Sequence, residues 1–225
     1  MKKIFLFTVL SSFIALQGAC QSSNKKNQEE EQIAQKEIQP IQITSQDGYE
    51  RAYFASGCFW CVEAIYESVK GVKEAISGYS GGHIDNPTYE SSNTGLTGHA
   101  EAVEVIYEPS VVSFSVLVDV YFGSQIITQV NGQGPDRGSQ YRSIVFYQNE
   151  EQKKIIDNKI TELEKELGKG KVASQVLPFQ KFWVAEEYHQ DYEKLNPGNP
   201  YIQNISIPRL KRFQGKFPHL LKQEH

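Results

Sequence analysis

In Arg51-Ala52-Tyr53-Phe54-Ala55-Ser56-Gly57-Cys58-Phe59-Trp60-Cys61 an apolar run gives way, across one glycine, to two thiols and two large aromatics. Residues 51–55 read as a short strand. Phe59, Val62, Tyr66 and Val69 then recur at spacings of three and four, which predicts a helix over 58–69. Cys58 falls at the helix N-terminus, where unpaired backbone N–H groups favour negative charge and therefore a thiolate. A thiolate beside an exposed aromatic pair is a nucleophile beside an apolar pocket, and redox or sulfur chemistry is the first expectation. Outward from this junction the pattern predicts strand 72–80, strand 101–107, helix 113–122 and strand 142–148. The resulting βαββαβ order implies an α+β fold, a ferredoxin-like two-layer core. Additions follow it: helix 150–167, strand 172–177, a short helix near 186–194, and a C-terminal extension expected to wrap the surface in extended form. Helix 150–167 carries Ile156, Ile160, Leu163 and Leu167 on one stripe, a packing face. Loops 81–99 and 123–141 are of a length that in a compact domain usually serves function.

The ends of the 225-residue chain have a different character. Residues 1–19 carry Lys2 and Lys3, an apolar run from Ile4 to Leu16, and Gly18-Ala19 before Cys20, the pattern of an export signal. The run is short for a membrane-spanning helix, which needs about 20 apolar residues. Gly-Ala-Cys resembles the end of a bacterial lipoprotein signal, so Cys20 is a candidate lipidation site that would tether the protein to a membrane. Simple cleavage and secretion is the alternative, because Gln17 interrupts the pattern. Either way the protein is expected in the cell envelope, periplasmic or membrane-anchored. Residues 20–48 lack aromatics and are rich in Gln, Glu, Lys and Ser, which reads as a disordered tether. Residues 49–225 are long enough for one catalytic domain with its own core. Net charge is −4, and loss of residues 1–19 removes two lysines and no acid, giving −6. A mildly acidic domain without a basic stripe argues against nucleic acid. A monomer is the default expectation.

With Cys20 set aside, only Cys58 and Cys61 remain. A bridge between residues three apart closes almost no loop and would stabilise little, so a working redox pair is expected rather than a structural disulfide. In Gly98-His99-Ala100-Glu101-Ala102-Val103-Glu104-Val105 strand alternation puts Glu101 on the face of Val103, Val105 and Tyr107. A carboxyl leading an apolar face is desolvated, its pKa rises, and it can donate a proton near neutrality; a wet strand end is the alternative. The loop 129–143 gathers Asn131, Gln133, Asp136, Arg137, Tyr141 and Arg142 among glycines and resembles a site wall. It lacks the Gly-Lys-Ser/Thr ending of a phosphate loop. Tyr89 and the turn Gly78–His83 add polar aromatics. Glu186, His189 and Tyr192 are spaced to share one helical face. One Glu-x-x-His unit does not make a di-metal site, and one Cys-x-x-Cys does not make a zinc site, so no metal is expected.

Together, Gly57-Cys58-Phe59-Trp60, Gly78-Tyr79-Ser80-Gly81-Gly82, Gly98-His99-Ala100-Glu101, the loop from Asn131 to Ser143, and Tyr188-His189-Gln190-Asp191-Tyr192 resemble the A-type peptide methionine sulfoxide reductases. The segments stand in the family's order across nearly the whole folded part. The resemblance implies reduction of methionine S-sulfoxide, free or in oxidised proteins, as protein repair. It implies that Cys58 attacks the sulfoxide sulfur, that Glu101 protonates its oxygen, and that Tyr89 and Tyr141 hydrogen-bond that oxygen. Phe59 and Trp60 would hold the substrate methyl group, with Asp136, His189 and Tyr192 as polar or aromatic supports. The product at Cys58 is a sulfenic acid. Many members keep a recycling cysteine near the C-terminus, and this chain has none after Cys61. Cys61 is therefore expected to form a Cys58–Cys61 disulfide, opened by a thioredoxin-like protein or by dithiothreitol, with no bound cofactor. Alternatively, Cys61 is a small buried hydrophobe and an external thiol attacks Cys58 directly. Two other functions compete: a general thiol–disulfide oxidoreductase using Cys58 and Cys61, and a non-catalytic surface lipoprotein binding a partner through Phe59 and Trp60.

Overall fold

The computed structural model describes residues 38–223; the export signal, Cys20 and the first part of the expected tether lie outside the described residues. In chain order the elements are β1 (Glu50–Ser56), α1 (Phe59–Glu67), β2 (Val72–Ser80), α2 (Tyr89–Asn93), β3 (Ala100–Tyr107) and α3 (Phe114–Gly123). They continue as a short hairpin of β4 (Gly132–Gln133) and β5 (Asp136–Arg137), then β6 (Ser143–Tyr147), α4 (Glu150–Leu167), β7 (Gln175–Pro178), β8 (Phe182–Val184), α5 (Tyr192–Leu195) and α6 (Ile207–Lys216). The mixed α+β fold has one six-stranded sheet in the order β7-β6-β1-β3-β2-β8. β1 pairs antiparallel with β3 and β6, and β3 pairs antiparallel with β2. Each crossover, β1-α1-β2 and β3-α3-β6, therefore spans one antiparallel strand. β7 adds in parallel to β6 and β8 antiparallel to β2.

Strand alternation divides the core. Phe54, Val103, Val105 and Val145 point to one face, where Val62, Ile65, Leu117 and Ile156 of the helices cover them. Tyr53, Ala55, Ala102 and Phe146 point to the other, against Phe179 and Phe182; Tyr53 and Phe179 stack at 3.8 Å. The helices begin where side chains can satisfy their first N–H groups: Ser113 accepts from Val116 N and Asn149 from Gln152 N.

Four features depart from expectation. Residues 39–43, expected to belong to the tether, lie against the sheet: Ile41 N donates to Phe179 O at 2.7 Å and Ile43 N to Gln148 Oε1 at 2.8 Å. The helix near 186–194 is broken. Glu187–His189 form one 3-10 turn, Asp191 is left-handed at φ 52°, and α5 starts only at Tyr192. Strand β8 escapes the sequence pattern because it is only three residues long; it approaches β2 so closely that a Cβ on Gly78 would stand 2.3 Å from Trp183 O. The tail is also helical rather than extended. A π-turn over Ile202–Ser206 runs into α6, and Ile202, Arg209 and Phe213 are buried. Pro208 disguised this helix; it stands at the second residue of α6, directly after the π-turn that leads into it.

Candidate active site

Gly57 makes the turn between β1 and α1. Its φ is 79°, and a Cβ there would meet Gln133 Cβ at 2.5 Å, so glycine is required both for the backbone angle and for the approach of the 129–143 loop. The turn leaves Cys58 as the N-cap of α1 and Cys61 in its first turn, both buried free thiols. They stand three residues apart on one turn and perturb each other's ionisation.

Glu101, near the start of β3, is 2% exposed and thus not at a wet strand end. Its Oε2 accepts the Phe59 N–H at 3.0 Å. Burial pushes its carboxyl up to about 8, even though that N–H favours the charged form; the negative charges of Asp136 and Cys61 add to the rise. Glu101 therefore holds a proton at neutral pH. The same contact corrects the expectation for Cys58. The first N–H of the helix is committed to Glu101, and Cys58 is only 5% exposed. Burial, the interaction with Cys61 and the charge of Glu101 raise the Cys58 thiol well above its ordinary value. Cys61 moves the other way, lowered chiefly by its interaction with Cys58 against the cost of burial, with help from Arg209, Ser206 and Tyr201.

Around these groups stands a set of rings. Phe59 is 1% exposed, so the expected exposed pair reduces to Trp60, which is half-buried. Phe59 lies 6.3 Å from the Tyr89 ring and 4.9 Å from His189. Trp60 stacks on Tyr192 at 3.8 Å and 10°. Its Nε1–H donates to His189 Nδ1 at 3.1 Å, which puts the imidazole proton on Nε2. Burial lowers the pKa of His189 and keeps the ring neutral. Its Nε2 makes no hydrogen bond among the described residues and stands 4.0 Å from Glu186 Oε2.

The broken helix explains how His189 reaches this place. Gln190 pins the turn to β2, accepting from Ser77 N at 2.9 Å and donating to Ser77 O at 3.1 Å. Glu63 of α1 accepts from Asp191 N and from the Ser77 hydroxyl. Glu186 accepts Tyr89 N and Tyr79 Oη, both at 2.9 Å, and so fixes the start of α2. Arg142 ties the loops on the other side, donating to Ser139 O at 2.9 Å and Gly98 O at 2.9 Å, beside Tyr141. The Tyr141 phenol is raised by burial first, then by the charge of Glu101, so it remains an O–H donor; burial likewise raises Tyr89.

Tyr201 has no counterpart in the sequence-based expectation. Its hydroxyl donates to Asp136 Oδ2 at 2.7 Å and lies 3.8 Å from Cys61 Sγ. Arg209 and Ser206 were missed with it, because a tail read as extended offered no reason to bring them to Cys61. The structure thus gathers Cys58, Cys61, Glu101, Phe59, Trp60, Tyr89, Asp136, Tyr141, His189 and Tyr192. A cavity of about 390 Å³ opens on the Cys61 side, bordered by Asp136, Gln133, Arg209 and Phe213 but not by the Trp60 rings. Chemically, the arrangement offers a sulfur nucleophile, a protonated carboxyl and two phenol donors at one place.

A profile described as peptide methionine sulfoxide reductase matches residues 50–220. The peptide methionine sulfoxide reductase MsrA of Saccharolobus solfataricus is 45% identical over 173 residues, 77% of this chain and 97% of that protein. The one from Pasteurella multocida is 44% identical over 77% of this chain and 99% of its own length. Among solved structures, Mxr1 from Saccharomyces cerevisiae in reduced form superposes with a TM-score of 0.65 at 31% identity, covering 72% of this chain and 93% of that one. Methionine sulfoxide reductase A of Corynebacterium diphtheriae gives 0.62 at 31% identity, over 71% and 82%.

Proposed function

The chain belongs to the peptide methionine sulfoxide reductase family and is an oxidoreductase that reduces methionine sulfoxide; from that premise we propose the following roles for its residues. Cys58 Sγ attacks the sulfoxide sulfur of the S epimer. Glu101 gives its proton to the sulfoxide oxygen, which otherwise leaves poorly, and Tyr89 and Tyr141 donate hydrogen bonds to it. Phe59 and Trp60 supply an apolar wall for the methyl group, and His189 and Tyr192 hold Trp60 in place. The oxygen ends on Cys58 as a sulfenic acid and methionine leaves.

The observation that carries this reading is the carboxyl of Glu101 against the N-terminus of α1. Buried and protonated near neutrality, it stands beside the one turn that carries both thiols. A general disulfide oxidoreductase accounts for the thiols but not for that acid together with the Tyr89 and Tyr141 phenols around it.

Cys61 then attacks Cys58, expelling water and leaving a Cys58–Cys61 disulfide. Its place three residues on, buried in the first turn of the helix that Cys58 caps, supports this step, as does the lack of a further cysteine after it in the sequence. A thioredoxin-like protein opens the disulfide, and dithiothreitol serves in its place in the test tube. Substrates are oxidised proteins or the free sulfoxide. On sequence grounds, export through residues 1–19 and lipidation at Cys20 put this repair activity in the cell envelope; palmitate labelling lost in Cys20→Ala tests that placement. Incubation with dithiothreitol and each epimer tests the function. Methionine is expected from the S epimer alone, and its absence with both epimers, or disulfide reductase activity without it, would defeat the proposal.

A further inference from the structure

The hydroxyl of Tyr201 stands between a thiol and a carboxylate. It donates to Asp136 Oδ2 at 2.7 Å and lies 3.8 Å from Cys61 Sγ, within reach of a sulfur hydrogen bond. A phenol carries one proton. Asp136 takes it, so Tyr201 meets Cys61 as an acceptor, with the thiol as donor. The three groups form a directed line from Cys61 S–H through Tyr201 Oη to Asp136. Its inner end, Cys61, is 2% exposed. Its outer end, Asp136, is half-buried on the wall of the cavity. The Tyr201 ring has a separate duty: it stands edge-on to Trp60, with centroids 6.0 Å apart at 76°. Packing explains that ring but does not call for a hydroxyl aimed at a thiol.

Disulfide formation needs such a line. A thiol is a poor nucleophile until its proton leaves. Two thiolates on one buried turn repel, so Cys61 keeps its proton while Cys58 attacks as the anion. Once Cys58 is a sulfenic acid, Cys61 must shed that proton from a place water barely reaches. We propose that the Tyr201 hydroxyl and Asp136 form a proton relay that activates Cys61 for attack on the Cys58 sulfenic acid. The proposal rests on the reading of Cys61 as the resolving thiol. As Cys61 Sγ bonds to Cys58 Sγ, its proton passes to Tyr201 Oη and the phenol proton passes to Asp136 Oδ2. The Cys58 S–O bond breaks. The hydroxyl leaves as water with a proton from Glu101, which regained one from solvent after the first step. Cys61 is oxidised as the Cys58 sulfur is reduced. A disulfide, one water, an Asp136 carboxylic acid and a Glu101 carboxylate result, with atoms and charge conserved. Asp136 then releases its proton into the cavity. Tyr201 touches the reacting sulfur; Asp136 acts through it.

The other charged and titratable groups facing this line are Cys58 from α1, Glu101 from β3 and Arg209 from α6, with Arg212 and Lys216 on the cavity wall. Glu193 of α5 stands behind Ser206, whose hydroxyl it accepts. Arg209 favours the ionised form of Asp136 against the cost of burial, which keeps the end of the line ready to accept. Burial first, then the nearby sulfurs, hold the Tyr201 phenol well above its ordinary value, so it passes a proton on and does not rest as a phenolate.

The test separates the two chemical steps in quenched flow without reductant. Methionine release reports the first step, and appearance of the bridged Cys58–Cys61 peptide reports the second. Tyr201→Phe keeps the ring against Trp60 and removes only the hydroxyl. In it the second step should slow at least about tenfold more than the first, and dimedone should trap a Cys58 sulfenic acid that the parent passes on to the disulfide. Asp136→Asn should show the same split. In the parent the second step loses rate toward acid pH, as Asp136 takes up a proton. In both variants that limb vanishes, and the rate climbs steadily between about pH 6 and 8 as hydroxide takes the Cys61 proton. Parental second-step rates and pH profile in Tyr201→Phe would overturn the relay and leave the hydroxyl a structural partner of Asp136. Equal slowing of both steps, or slowing that alkali does not relieve, would overturn it too. A parent that forms no Cys58–Cys61 disulfide would instead overturn the resolving role of Cys61 itself. Tyr201→Phe decides the matter even where Asp136→Asn fails to fold.

Discussion

Two buried glutamates, Glu63 within α1 and Glu101 against its N-terminus, have different surroundings. Both are desolvated, and burial is the leading cause of raised pKa in both, to about 7 for Glu63 and about 8 for Glu101. Glu63 uses both oxygens: it accepts the Ser77 hydroxyl and the Asp191 N–H, holding the His189 turn against β2. Glu101 uses one, for Phe59 N–H, and its surroundings are the thiols and phenols rather than structural partners. A buried carboxyl with its bonding capacity filled is a fastener. One with capacity left can serve as an acid, the role proposed for Glu101. A raised pKa alone would not have separated the two; the hydrogen-bond inventory does.

The same conservative change at the two positions breaks or sharpens this contrast. Glu101→Gln should slow the first methionine release on the order of 100- to 1,000-fold, the scale of a lost general acid. Glu63→Gln can keep both hydrogen bonds and should stay within about threefold of the parent. Equal slowing in quenched-flow measurements would mean that both residues act only through structure. Next in size, Tyr141→Phe and Tyr89→Phe should each slow the same step about tenfold, as the loss of one donor to a developing charge would. A change below twofold in both would remove the phenols from the step.

The Glu101 side of this contrast was legible in the sequence; Glu63 was not singled out there. Alternation put Glu101 on the apolar face of β3, and the strand–Gly–Cys–aromatic junction placed both thiols at a helix start. The short reach of sequence periodicity explains what was missed. Asp191 breaks a helix by one left-handed residue, whose N–H is taken by Glu63, 128 positions away. Tyr201 and Arg209 come to the site only because the tail folds back as a helix, and no local pattern reports what a returning helix will touch. The thiol assignment failed for a related reason. Helix position alone favours a thiolate at Cys58, but burial and the commitment of Phe59 N–H to Glu101 outweigh it.

Acidity offers a smaller effect. Above about pH 8 Glu101 loses its proton, so first-turnover rates should fall roughly tenfold per pH unit, and Glu101→Gln should lack that falling limb. Stability should move in the same direction. Both carboxyls ionise more readily in the unfolded chain, near their ordinary value of 4.5, than when buried. The folded state thus binds more protons between about 4.5 and 8, and stability falls as pH rises through that window. Glu101→Gln should recover on the order of 4 kcal/mol at pH 8, read from urea midpoints. A Glu101→Gln protein no more stable than the parent at that pH would contradict a protonated, desolvated acid.

The most direct test follows the oxygen atom. Cys61→Ser, given excess S-sulfoxide without reductant and quenched with dimedone, should release one methionine per chain and carry one dimedone on Cys58 by peptide mass. Methionine release with Cys58 unmodified would contradict the account, because the oxygen would then have left by a route that does not pass through that sulfur.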